Sequence, residues 1–152
     1  MDIQKRVAEL GLSLYEPPKP GGNYLSVNVR GNIVYVAIQT PKKNGEFLYQ
    51  GRIGLDVSEE DAYLGMQLCA LNVVSQIHHH IGFEKILGMN HMDAYFQAIP
   101  SFENGPKIVD GASNLFVDVL GESGRHTRAI FGVESLPKNL SVAITCTFTL
   151  KS

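Results

Sequence analysis

The sequence predicts an α+β fold: one mixed sheet of six strands, covered on one face by two long helices. Two segments, opening at Ser58 and at Pro106, carry apolar residues at helical spacing. Alternating apolar and polar runs precede, separate and follow them. The order is therefore hairpin, helix, strand, helix, hairpin. Each long helix joins strands, so both are expected on one face of a single sheet.

The elements follow in order. Residues 2–10 predict a short amphipathic helix with Ile3, Val7 and Leu10 on one side, stopped by Gly11. Pro17-Pro18-Lys19-Pro20-Gly21-Gly22 predicts an extended connector, because neither proline nor glycine continues a helix. Residues 1–22 thus form a lead-in to the sheet. Tyr24–Arg30 alternates as a strand, Gly31-Asn32 makes a two-residue hairpin turn, and Ile33–Gln39 returns. Pro41 to Gly45 predicts a second turn, and Phe47–Tyr49 a short strand. Ser58 caps the first long helix, with Glu59, Glu60 and Asp61 at the positive end of its dipole. Its apolar stripe runs from Ala62 through Cys69 to Ile81, and Gly82 ends it. A strand is expected between Ile86 and Ala98. Pro106 starts the second long helix, with Ile108, Ala112, Leu115, Phe116 and Val119 inward, and Gly121 closes it. Thr127–Val133 and Ser141–Leu150 are the last two strands.

The totals narrow the function. A chain of 152 residues fits one domain, 1–152, large enough for a core without metals or disulfides. The formal charge of −2 gives no general attraction to RNA, DNA or an anionic membrane. No apolar run is long enough to span a bilayer. The polar N-terminus does not read as a secretion signal. Cys69 and Cys146 fall on apolar faces without framework spacing, which predicts free thiols in a reducing compartment, the cytoplasm. His78-His79-His80 is not expected to hold a metal, since consecutive helical residues point about 100° apart. No role is assigned to His91.

The last strand suggests an oligomer. Val142, Ile144, Cys146, Phe148 and Leu150 share one face, while Ala143, Thr145, Thr147 and Thr149 share the other. A small, mildly polar row suits close approach by another subunit.

Several short motifs occur in a fixed order. They are Gly22-Asn23-Tyr24, Gly31-Asn32, Gln39-Thr40-Pro41, Cys69-Ala70-Leu71-Asn72 and Gly111-Ala112-Ser113. They end in Arg125-His126-Thr127-Arg128, with Leu136-Pro137 eight residues beyond Arg128. In this order and spacing, nearly the whole chain resembles the YjgF/Rid family, also called endoribonuclease L-PSP, and within it a longer subgroup. The resemblance implies a chorismate-mutase-like fold packed as a homotrimer. In it three sheets form an inner barrel and ligand clefts lie at the subunit interfaces. Family members of the Rid type hydrolyse 2-imino acids to 2-keto acids and ammonia, with no metal and no organic cofactor. Others bind 2-keto acids or are credited with ribonuclease activity.

Site residues follow from that resemblance and from side-chain chemistry. Arg128 stands at the family's carboxylate-binding arginine, and a guanidinium fork suits a small acid. Tyr24 matches a position near the ligand, where its hydroxyl orients substrate or water. Two departures oppose hydrolysis. Ala143 replaces the family's glutamate, which moves protons and positions water. Ile38 stands before Gln39 where the family has a glycine that lets ligand approach the backbone. His126 and Glu122 are the candidate substitutes for the missing acid, and Asp110 could lend the cleft a polar group. These residues point to a small-carboxylate binder, with 2-imino acid deaminase and endoribonuclease as alternatives. Without a basic stripe or aromatic platforms, a nucleic-acid partner is not expected.

Overall fold

The computed structural model describes residues 2–152. Helix α1 spans Ile3–Glu9, capped by the Asp2 carboxylate, which accepts from the Lys5 N–H at 3.1 Å. Strands β1 (Val27–Arg30) and β2 (Ile33–Gln39) form the expected hairpin around Gly31, whose φ is 61°. A small ribbon, β3 (Lys42–Lys43) with β4 (Glu46–Phe47), follows. Helix α2 spans Glu59–His80, and the Ser58 hydroxyl accepts from the Asp61 N–H at 3.1 Å. The chain continues through β5 (Ile86–Phe96), α3 (Gly105–Leu120), β6 (Thr127–Gly132) and β7 (Val142–Leu150).

The main sheet has five strands in the order β1-β2-β7-β5-β6. Only β5 and β6 run parallel, joined by the crossover through α3; the other neighbours are antiparallel. The sequence predicted six strands. The segment after Pro41 pairs only within its own ribbon, Lys42 opposite Phe47 and Lys43 opposite Glu46, and stays off the main sheet. The first strand is also shorter than expected. Tyr24 lies outside β1, because its hydroxyl folds back to accept the Gly21 N–H at 3.0 Å.

Both long helices cover one sheet face and build the core. Val34, Val36, Met92, Ala94, Val142, Ile144, Cys146 and Phe148 meet Met66, Val73, Ile77, Ile108, Leu115, Phe116 and Val119 there. Cys69 and Cys146 are free and buried, and burial pushes both thiols well above their usual range. The other face has no cover within the described chain. Thr145, Thr147 and Thr149 are half-buried there, Tyr35 and Phe131 are exposed, and Tyr95 stacks on Phe131 with ring centroids 5.4 Å apart.

The middle of α2 is buried on nearly every side. Its apolar stripe faces the core. Its buried polar residues, Asn72, Ser75 and Gln76, face irregular chain instead. Asn72 donates to the carbonyls of Thr40 (3.0 Å) and Lys42 (2.9 Å), Ser75 to that of Tyr15, and Gln76 to that of Pro18 (2.9 Å). The proline-rich connector and the turn after β2 are thus fastened to a buried helix.

Two motif glycines have a packing cause. A Cβ at Gly111 would run into the carbonyl oxygen of Tyr63 on α2, and one at Gly124 into that of Phe116 on α3. Backbone offers no room to yield there, unlike the end of a flexible side chain. Gly111→Ala is therefore expected to lower stability by about 2 kcal/mol or more, as overpacking does. A shift of the urea unfolding midpoint measures it, and an unchanged midpoint would refute the close-packing role.

Candidate functional site

The structure sorts the expected site residues into two groups. The first lies in a cleft of about 400 Å³ between the connector, the end of β2 and the turn before β7. Tyr24, Ile38 and Ala143 all line it, together with Leu136-Pro137. Tyr24 is half-exposed, and its oxygen already accepts the Gly21 N–H. That contact leaves the phenolic hydrogen free to donate to a ligand. Ile38 stands where the β2–β7 register breaks between Val36 and Gln39, and is 46% exposed. It forms cleft wall. Ala143 is buried opposite Tyr95 on β5 and presents only a methyl group.

The cleft also holds residues the sequence reading missed. Lys19, Lys42 and Lys138 line it, and no aspartate or glutamate does. Among the described residues none of the three lysines forms an ion pair. Three ammoniums without a counter-ion make the cleft attractive to anions. Their signals were present as Lys42-Lys43 in a turn and Lys138 after Leu136-Pro137. Neither has helical or strand periodicity, so pattern reading passes over them.

The second group centres on Arg128. It lies on β6, one edge of the sheet, whereas the cleft borders the end of β2 and the start of the central strand β7. Arg128 pairs with Met92 in the β5–β6 register, which turns it toward the helices. Its guanidinium donates to Asp110 at 2.8 Å and to the Ser113 hydroxyl at 3.2 Å. Within one chain, then, Arg128 and Asp110 are partners and lie off the Tyr24 cleft.

His126 belongs to this group. One ring nitrogen contacts the Gly124 carbonyl at 2.7 Å and the other the Ser113 hydroxyl at 3.0 Å. A carbonyl only accepts, so Nδ1 carries the hydrogen and Nε2 accepts from Ser113. Ser113 in turn accepts from Arg128. Both imidazole nitrogens are thereby occupied. Burial, opposed by the Gly124 contact and reinforced by the Arg128 cation, holds His126 below its ordinary value. Glu122 is exposed, reaches only Arg125 at 3.9 Å, and joins neither group.

A second groove, of about 560 Å³, runs beside Arg52, Phe96 and Glu134. Arg52 donates there to the carbonyls of Ala98 (2.8 Å) and Glu134 (2.7 Å), tying two loops together. No group of three or more His, Cys, Asp or Glu residues among those described could hold a metal ion. Among the described residues no helix is long and apolar enough to cross a membrane.

Comparison with known proteins gives a consistent picture. Residues 4–149 match the family described as "YjgF/chorismate mutase-like, putative endoribonuclease". A curated relative, Protein TCP17 of Trypanosoma cruzi, is 28% identical over 144 residues, covering 93% of this chain and 90% of its own. The crystal structure of Atu1372, a protein of unknown function from Agrobacterium tumefaciens, is 34% identical. It superposes with a TM-score of 0.91 over 98% of this chain and 92% of its own. Escherichia coli TdcF, solved with bound serine, shares the fold at 18% identity and a TM-score of 0.66, covering 90% of this chain and 94% of its own.

The Arg128–His126 cluster predicts a pH effect. The folded-state imidazole lies below its usual value near 6.5. Its contribution to stability is thus complete above that value and lost as pH falls through the depressed one. Urea midpoints should fall between pH 7.5 and pH 5, and His126→Asn should flatten part of that fall. An identical pH dependence in the variant would show that the ring is not held neutral.

Proposed function

The chain belongs to the YjgF/chorismate mutase-like family, and from that premise we propose that it is a small-molecule-binding protein. In this reading it assembles as a homotrimer and holds a small carboxylate, of the 2-keto or 2-imino acid class, in clefts between subunits. The observation that carries it is the charge of the cleft. Three lysines and the free hydroxyl of Tyr24 line it, with no carboxylate. A small anion is what such a wall attracts, and a cleft of about 400 Å³ has ample room for one.

Two features support the trimer. The face carrying Thr145, Thr147, Tyr35 and Phe131 lacks cover within the chain. Arg128 lies on the β6 edge strand, while the Tyr24 cleft opens beside β2 and β7 and is not reached by Arg128 of its own chain. A head-to-tail ring sets one subunit's edge beside the next subunit's opposite edge. Arg128 of one copy would then complete the cleft of another. The binding unit is the chain 1–152. Two buried free thiols suit the cytoplasm.

Binding is favoured over hydrolysis. Imine hydrolysis needs a group that delivers a proton and positions water. Ala143 offers neither, His126 has both nitrogens engaged, and Glu122 faces solvent. The ribonuclease alternative gains nothing from a formal charge of −2.

Calorimetric titration with 2-ketobutyrate and with benzoate tests the reading. Saturable binding at millimolar ligand is expected. Ala143→Glu should weaken it at least about fivefold, since a carboxylate among the lysines competes with the ligand. No heat at millimolar ligand would overturn the binding reading. Light scattering should give three times the chain mass, and a monomer at micromolar concentration would refute the trimer.

A further inference from the structure

Two of the three cleft lysines are placed differently from the third. The Lys42 ammonium lies 5.0 Å from the centroid of the Phe47 ring, and the Lys138 ammonium 5.7 Å from the same centroid. Lys19 extends from the connector with no such ring beside it; Lys19 and Lys138 are both exposed, and Lys42 is half-buried. One phenyl ring thus gathers two like charges, which repel each other and have no carboxylate partner. Attraction to the ring offsets part of that repulsion. An anion between them would remove it.

The backbone under both lysines is fixed to an unusual degree. Lys138 is in the left-handed region, φ 57° and ψ 24°, an uncommon and strained place for a lysine. Its turn holds that shape through four bonds. Gln50 donates to the Lys138 carbonyl (2.8 Å), and Gly51 N–H to the Asn139 carbonyl (2.7 Å). The buried Gln97 donates to the Asn139 side chain (2.8 Å) and accepts from Leu136 N–H (2.8 Å). Lys42 is held by Asn72, which grips its carbonyl, and by its pairing with Phe47 across the ribbon. These bonds fix where each lysine leaves the backbone, and the Phe47 ring is what gathers the two ammonium ends.

From this we propose that Lys42 and Lys138, over Phe47, form a second anion-holding position in the cleft, and that the ligand is a small dianion. It carries its 2-keto or 2-imino carboxylate at one end and a second carboxylate or a phosphate at the other. The inference rests on the anion-binding reading above and deepens it. A monocarboxylate needs one holding position, the Tyr24 hydroxyl with an arginine, and would leave the lysine pair unneutralised. Compact ammonium groups suit either kind of second group, because they impose no planar two-point geometry.

The test compares three probes by calorimetry: 2-ketobutyrate, 2-ketoglutarate and 3-phosphohydroxypyruvate. At least one dianion should bind about tenfold or more tightly than 2-ketobutyrate at low salt. The tighter of the two names the second group. In the Lys42→Ala/Lys138→Ala double variant that ratio should fall to about one, with far-ultraviolet circular dichroism confirming the fold. Equal affinity for monoanion and dianions overturns this inference and leaves the carboxylate reading standing. A ratio unchanged in the folded double variant also overturns it. Binding of none of the probes overturns both.

Discussion

The buried polar row of α2 is the constraint on which the rest of the site depends. Asn72, Ser75 and Gln76 lie within one turn or so of each other and are all buried. A buried amide or hydroxyl is costly unless it finds a partner. Here the partners are the carbonyls of Thr40, Lys42, Tyr15 and Pro18. Those carbonyls belong to segments outside the main sheet, which would otherwise drift over the surface. The helix thereby turns a proline-rich connector and an exposed turn into cleft walls. Gln97 does the same on the far side, joining Gly51, Leu136 and Asn139. A rigid core, through four buried side chains, sets the position of an irregular cleft.

The same layout separates two kinds of positive charge. Arg128 is held at the β6 edge, neutralised by Asp110 and linked through Ser113 to His126. The lysines stand around the cleft without acids. An ion pair keeps an arginine fork oriented and ready to exchange one carboxylate for another. Unpaired ammoniums attract an anion over a longer range. In the proposed ring of subunits the two would act on one ligand.

Much of the fold was legible in the sequence, because it rests on periodicity and capping. The stripes of α2 and α3, the Ser58 cap and the Gly31-Asn32 hairpin all stand where the pattern put them. Strand count was less legible. Phe47 alternates like a strand residue, but whether it joins the main sheet depends on tertiary pairing. Tyr24, Ile38 and Ala143 come together as cleft wall, and it was the resemblance to the family, not periodicity, that singled them out. The pairing of Arg128 with Asp110 spans eighteen residues, from β6 to α3, and spacing does not reveal it. The lysines were invisible for a related reason. A lysine in a turn reads as solvated, and only the folded chain shows that Asn72 and Gln97 hold the backbone beneath two of them.

The central claim is that this cleft holds an anion and leaves it unchanged. The most direct measurement generates 2-imino acids with an amino-acid oxidase and follows their lifetime by semicarbazide trapping, with the purified protein present in catalytic amounts, far below the imine concentration. The account predicts the same lifetime with and without protein. A lifetime that shortens in proportion to protein concentration would contradict it and establish an acid or base that Ala143, His126 and Glu122 do not supply.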